Sequence, residues 1–146
     1  MKVELLAVGS EILLGDILNT NSQYLAKKMA ELGFNLHFQT VVGDNEARIL
    51  ESLEIAFKRS DMVVTTGGLG PTDDDITKET CGKFFNKSLI LDSYSLNKIE
   101  KIFSQRKIIM PEINKKQAYY IEGSKVLENN FGSAIGCFFE KDGKYL

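Results

Sequence analysis

An α/β domain with parallel strands is the fold this sequence predicts, and three observations predict it. Short apolar runs alternate with amphipathic helical segments in the order β-α-β-α-β-α over about the first 85 residues. Connections of helical length between such strands imply right-handed crossovers and parallel pairing. Ile135 to Glu140 and the residues from Lys144 onward read as a C-terminal hairpin around Lys141-Asp142-Gly143.

Each element has its own signal. Lys2 to Val8 is a strand, with Val3, Leu5, Leu6 and Val8 apolar, and Gly9 to Asn19 is a loop carrying Ser10, Glu11, Gly15 and Asp16. Thr20-Asn21-Ser22-Gln23 has capping-box spacing, and Tyr24, Leu25, Met29 and Leu32 follow at helical intervals until Gly33 stops the helix. Leu36 to Val42 is the second strand. Asp44-Asn45-Glu46 opens a helix with the stripe Ile49, Leu50, Leu53, Ala56 and Phe57, and Met62 to Thr65 is the third strand. A helix is expected over Ile76 to Phe85 and another over Asp92 to Lys107, the latter with Leu96, Ile99, Ile102 and Phe103 inward. Pro111 to Ala118 reads as a short helical turn and Lys125 to Leu127 as a short strand.

Composition narrows the function classes. The chain is 43% hydrophobic and 26% charged, an ordinary globular balance over 146 residues and enough for one domain with a core. A net charge of −2, with Lys and Arg dispersed, argues against nucleic acid as the partner. No apolar run approaches the length of a membrane span and no signal peptide is evident, so a cytoplasmic protein is expected. Cys81 and Cys137 are too far apart in sequence for a CxxC metal site, and Cys81 shares a helical face with Phe84 and Phe85 as a core residue does. His37 is the only histidine, which leaves His-based zinc sites and Ser-His-Asp triads little support.

The most informative stretch is Thr65-Thr66-Gly67-Gly68-Leu69-Gly70-Pro71-Thr72-Asp73-Asp74-Asp75-Ile76-Thr77, between the third strand and a helix. Glycines there let main-chain N–H groups approach a phosphate, and the helix start adds partial positive charge. Three aspartates at the same point would repel that phosphate unless a divalent cation intervened, since carboxylates and phosphate oxygens are both hard ligands. No Lys-Ser/Thr pair follows the glycines, so the loop is not a P-loop, and its position after the third strand and its spacing exclude the dinucleotide fingerprint.

Ligands of open α/β sheets bind beyond the carboxyl ends of the strands. With strand order 2-1-3, three loops meet there: one with Ser10 and Glu11, one with Gly43 and Asp44, and the glycine–aspartate stretch. Each acid also has a structural reading. Glu11 reads equally as a solvated loop residue, Asp44 as the cap of the following helix, and at least one of Asp73, Asp74 and Asp75 as a cap, with Thr72-x-x-Asp75 fitting a capping box. The cluster of three favours a site.

Thr66-Gly67-Gly68-Leu69-Gly70-Pro71-Thr72-x-Asp74-Asp75-Ile76-Thr77 resembles the signature of the competence/damage-inducible protein A (CinA) family. The resemblance extends through Gly9-Ser10-Glu11-Ile12-Leu13-x-Gly15, Asn19-Thr20-Asn21-Ser22, Val42-Gly43-Asp44 and Asn114-Lys115-Lys116-Gln117-Ala118, so it covers nearly the whole chain. It implies a three-layer αβα fold of the molybdopterin-binding type, with a mostly parallel central sheet, over residues 1–146. It further implies divalent-metal-dependent hydrolysis of ADP-ribose, or a similar nucleotide sugar, to AMP and a sugar phosphate. Asp44 and Asp75 fall on the family's catalytic acids, with Glu11, Asp44 and Asp75 as ligands of Mg²⁺, Mn²⁺ or Co²⁺. Ser10, Thr66, Gly67, Gly68, Gly70, Asp74, Asn114 and Ser133 fall on substrate-binding positions. The chain departs from the family at Gly132-Ser133-Ala134-Ile135-Gly136, where Gly-Thr-Ala-Pro-Gly is usual; serine keeps the hydroxyl and the proline is lost.

Two other functions remain open: a molybdopterin-binding or adenylyl-transferring domain, whose ligand would be a pterin phosphate, and a non-catalytic nucleotide-sensing domain. The resemblance also implies a homo-oligomer. Because Lys144-Tyr145-Leu146 should lie inside a strand, the natural protein is expected to continue, with a further proline- and glycine-containing loop and, as in longer relatives, a C-terminal nicotinamide-nucleotide amidase domain.

Overall fold

A computed structural model describes residues 1–146. Strand β1 (Lys2–Val8) lies inside a five-stranded sheet of order β2-β1-β3-β9-β8, with β2 at Asn35–Val42, β3 at Met62–Thr66, β8 at Glu140–Lys141 and β9 at Lys144–Tyr145. Pairing is parallel from β2 through β9, and β8 alone runs antiparallel. Every residue of β1 from Val3 to Val8 is buried, as a strand covered on both faces requires. The chain steps from β1 to β2 through α2 (Thr20–Glu31), then back across β1 to β3 through α3 (Glu46–Arg59). Right-handed crossovers in opposite directions put these helices on opposite faces, which makes the three layers. Helix α4 (Thr77–Phe84) packs beside α3, and Phe57, Phe84, Phe85 and Phe139 seal that layer with ring centroids 4.6–5.5 Å apart.

Several boundaries differ from expectation. Gly9 to Asn19 contains one helical turn, α1 (Ser10–Leu13). Helix α2 is capped by Asn19, whose side chain accepts the Ser22 N–H at 3.1 Å, and not by Thr20. Tyr24 and Leu32 are exposed, because the face turned to the sheet carries Ser22, Leu25, Ala26 and Met29. The predicted strand from Ile135 to Glu140 splits. Gly136–Phe138 forms β7 and pairs antiparallel with β6 (Lys125–Leu127), whereas β8 turns through Asp142 and Gly143, both at positive φ, into β9. A second small sheet, β4 (Leu89–Leu91) with β5 (Tyr119–Ile121), has no clear signal in the sequence. Helix α5 (Ser93–Gln105), capped by Asp92, precedes a 3₁₀ helix at Glu112–Ala118. No helix is long and apolar enough to cross a membrane.

Cys81 packs in the core, where burial pushes its thiol up to about 12. The core also contains one acid. Glu4, the third residue of β1 and 0% exposed, takes a two-pronged contact from Arg59 at 2.9 and 2.6 Å and the Thr40 hydroxyl at 2.7 Å. Burial pushes its carboxyl upward, but the Arg59 and Thr40 hydrogen bonds outweigh that and hold it below its ordinary value of 4.5. A depressed folded-state pKa gives stability that is present above the unfolded value and lost as pH falls through the folded one. Melting temperature should therefore fall steeply below about pH 4.5, and a Glu4→Gln variant, less stable at neutral pH, should show a flatter acid limb. Parallel acid limbs in thermal melts of the two proteins would contradict this.

Candidate functional site

Three loops meet at the carboxyl edge of β2, β1 and β3, as the predicted order requires. The first two are tied reciprocally: the Ser10 N–H donates to Asp44 Oδ2 at 2.7 Å, and the Asp44 N–H donates to Ser10 Oγ at 3.2 Å. Gly9 N–H adds a bond to the Val42 carbonyl at 2.9 Å. Asp44 does not cap α3. Asn45 does, accepting the Arg48 N–H at 3.1 Å, and Asp44 Oδ1 has no partner in the chain.

The glycine loop is seated against the end of β1. Gly67 has φ 89°, and a Cβ there would lie 2.0 Å from the Val8 carbonyl oxygen, so only glycine fits. Thr77 fixes the loop from the start of α4: its hydroxyl donates to Gly67 O at 2.8 Å and its N–H to Gly68 O at 3.1 Å. With the loop carbonyls held in this way, the N–H groups of Gly67, Gly68 and Leu69 donate to nothing within the chain. Asn21 reaches the same place, donating to the Thr66 hydroxyl at 3.3 Å.

None of the three aspartates caps α4, whose N-cap is Ile76 with no side-chain bond. Asp75 turns back on its own loop and accepts the Thr72 N–H at 3.0 Å and the Thr72 hydroxyl at 2.5 Å. Burial raises its carboxyl, but the Thr72 hydroxyl, the N–H groups of Gly70 and Thr72 and the nearby Lys116 ammonium prevail and hold it below the ordinary range. Asp74 Oδ1 stands 2.5 Å from the same Thr72 hydroxyl and shares its single hydrogen with Asp75, and Asp73 is exposed. Lys116 braces the loop through the Thr72 carbonyl at 2.9 Å and pairs with Glu79 at 3.4 Å.

The expected ligand trio of Glu11, Asp44 and Asp75 is not a preformed cage, since no three His, Cys, Asp or Glu side chains stand close enough together to hold a metal ion. Asp44 is drawn to Ser10 and Asp75 to Thr72 and Gly70. The donor chemistry still suits a hard ion of the Mg²⁺ kind, which takes one or two carboxylates and completes its shell with water and substrate phosphate oxygens.

Two predicted substrate residues line a neighbouring groove, and the 3₁₀ helix that carries Asn114 is tied to the glycine–aspartate loop by the Lys116 bond to the Thr72 carbonyl. Asn114 and Ser133 line a groove of about 360 Å³ between α5, the 3₁₀ helix and the loop around Gly132, and no glycine-loop residue borders it. Sequence reading missed Lys98, on α5, and Arg106, at its C-terminal cap, in the same groove; their closeness in sequence to Ile99, Ile102 and Phe103 was the available signal. A separate, mainly apolar hollow of about 210 Å³ lies beneath Leu69 and Lys78 and carries none of the site acids.

The chain matches the family described as "Probable molybdopterin binding domain" over residues 4–132. A CinA-like protein of Dictyoglomus thermophilum is 55% identical over 146 residues, covering 100% of this chain and 36% of the relative. A CinA-like protein of Kosmotoga olearia is 57% identical over 146 residues, with 100% and 35% covered. The chain thus spans about a third of the length of these curated relatives. The crystal structure of the protein CinA, of unknown function, from Thermoplasma acidophilum superposes with a TM-score of 0.86 at 32% identity, covering 99% of this chain and 84% of that one. The tungsten cofactor synthesizing protein MoaB from Pyrococcus furiosus shares the fold, with a TM-score of 0.57 at 20% identity over 92% of this chain and 78% of that one. A molybdopterin-binding-type sheet closed by the Gly67–Asp75 loop, matched nearly end to end by CinA, makes this chain a member of the CinA-like family.

Proposed function

We propose that this chain hydrolyses the diphosphate of ADP-ribose or a similar nucleotide sugar, releasing AMP and a sugar phosphate. One observation carries the reading: the N–H groups of Gly67, Gly68 and Leu69 are unpaired and lie at the mouth of three converging loops. Unpaired main-chain donors in a glycine turn form a concavity suited to phosphate oxygens. Ser10 and Thr66 border it with hydroxyls, and Asp75 keeps the loop in shape from behind.

In this reading water attacks one phosphorus, the bridging P–O bond breaks, and the leaving phosphate takes the electron pair. Asp44 Oδ1, free of partners, orients the water and accepts its proton. A divalent ion held by Asp44 with Glu11 or Asp75 would neutralise charge on the phosphoryl oxygens. The loop N–H groups hold the same oxygens through the transition state.

The test is product analysis of ADP-ribose incubated with the chain and Mg²⁺, Mn²⁺ or Co²⁺, with molybdopterin and ATP in a parallel sample. AMP and ribose 5-phosphate in equal amounts are expected. An adenylylated pterin with no ADP-ribose cleavage would favour the transferase reading. A thermal shift with no product would favour a sensing domain.

A further inference from the structure

We propose that residues 13–18, at and after the end of α1, form the docking surface for a second copy of this chain, with the two segments packed against each other across a two-fold axis. Leu13, Leu14, Ile17 and Leu18 all stand exposed, Leu14 at 75% and Leu18 at 85%. Scaled by side-chain size, the exposed parts of these four come to roughly 500 Å², in the upper range for the largest apolar patch on a monomer. Tyr24, exposed on the second turn of α2, adds an aromatic ring. A standard interface takes ~800 Å² from each partner, so these side chains with a polar rim reach what a stable dimer needs. Leu32 after α2, Ile55 in α3 and Ile90 in β4 are exposed singly, as is ordinary on a protein surface.

The segment is tied in place, which keeps these side chains outward. The Leu13 N–H donates to the Gly9 carbonyl at 3.0 Å and the Leu14 N–H to the Ser10 carbonyl at 2.9 Å. The N–H groups of Asp16 and Ile17 both reach the Glu11 carbonyl, at 2.9 and 3.3 Å. Ser10 is itself locked to Asp44. A surface already fixed loses little conformational freedom on association. Its charges suit a copy of itself. Asp16 within the segment and Lys27, one turn beyond Tyr24, are exposed, and neither forms an ion pair. An apolar centre with one charge of each sign at its rim is self-complementary across a two-fold axis, each acid facing the other copy's lysine. A net charge of −2 adds little repulsion between copies.

The surface borders the candidate site, since Ser10 and Glu11 open the same helical turn, yet it needs none of that site's chemistry and is tested without substrate. Sedimentation equilibrium should show a monomer–dimer equilibrium in the micromolar range. Combined Leu14→Asp and Leu18→Asp, with an unchanged circular dichroism spectrum, should weaken the dimer about a hundredfold. Ile109→Asp, at an aliphatic side chain as exposed but lying beyond α5, should leave it unchanged. Asp16→Lys and Lys27→Asp should each weaken the dimer about threefold, and the two together should restore it. In the unaltered protein, amide exchange across residues 13–18 should slow as protein concentration rises. A monomer at millimolar concentration overturns the proposal, as does a trimer, a dimer that survives both aspartates, or a charge swap that recovers nothing. A monomer in which ADP-ribose alone slows exchange across the segment also overturns it, because the patch then covers a ligand.

Discussion

Replacing Asp75 with Asn should lower AMP release from ADP-ribose roughly a hundredfold, with little change in melting temperature. The carboxylate draws three donors to one point: the Thr72 hydroxyl and the N–H groups of Thr72 and Gly70. Asparagine keeps the shape and can still offer its carbonyl oxygen to those donors, but it loses the charge that strengthens each bond, so the segment from Gly70 to Thr72 is held less firmly. Because Asp75 acts through the loop, KM for ADP-ribose should rise as kcat falls. Thr72→Val, which removes only the hydroxyl, should lie between the two proteins. The pH profile supplies a second readout. With a depressed pKa, the loop's order is present above the ordinary carboxylate value and is lost as pH falls through the depressed one, so the acid limb assigned to Asp75 should vanish in the variant. Near-normal turnover in Asp75→Asn would refute its role.

Gly67→Ala should be the most damaging single methyl in the chain, costing about 3 kcal/mol or more in urea unfolding. Its Cβ would meet the Val8 carbonyl oxygen at 2.0 Å, and that oxygen belongs to β1, a buried strand paired on both sides, which cannot retreat without disturbing its neighbours. The backbone at φ 89° adds strain of its own. Gly15→Ala is the matched control: φ is 82°, yet nothing lies within 4 Å of the added carbon, so only the conformational cost of about 1 kcal/mol remains. Equal losses in the two variants would mean that the contact with Val8 is not what fixes the loop.

The first three strands and the helices between them were legible because each carries its own period and punctuation. Lys2–Val8 matched expectation residue for residue, and the crossover rule placed its neighbours. The glycine loop was legible because conformation demanded glycine there. What failed was decided by competition among neighbouring polar groups. Asn19, not Thr20, won the α2 cap, and Asn45 released Asp44 from the α3 cap. Asp75 bonded backward to Thr72 and did not cap α4, which spread the expected metal ligands apart. Asn114 and Ser133 could not be assigned to a separate groove from sequence, because that depends on how α5 and the Gly132 loop pack.

Glu4 also bears on the order in which the chain assembles. Its acceptors are filled by Thr40 from β2 and by Arg59 from the last turn of α3, with Ser60 Oγ at 3.4 Å. A partly folded chain that paired β1 with β2 before α3 had formed would enclose a charge lacking its counter-ion, an arrangement that water outcompetes. Early intermediates with a finished sheet edge but no second helix are therefore disfavoured. The first half of the molecule should form in one cooperative step, with the strand and the helix end it needs arriving together.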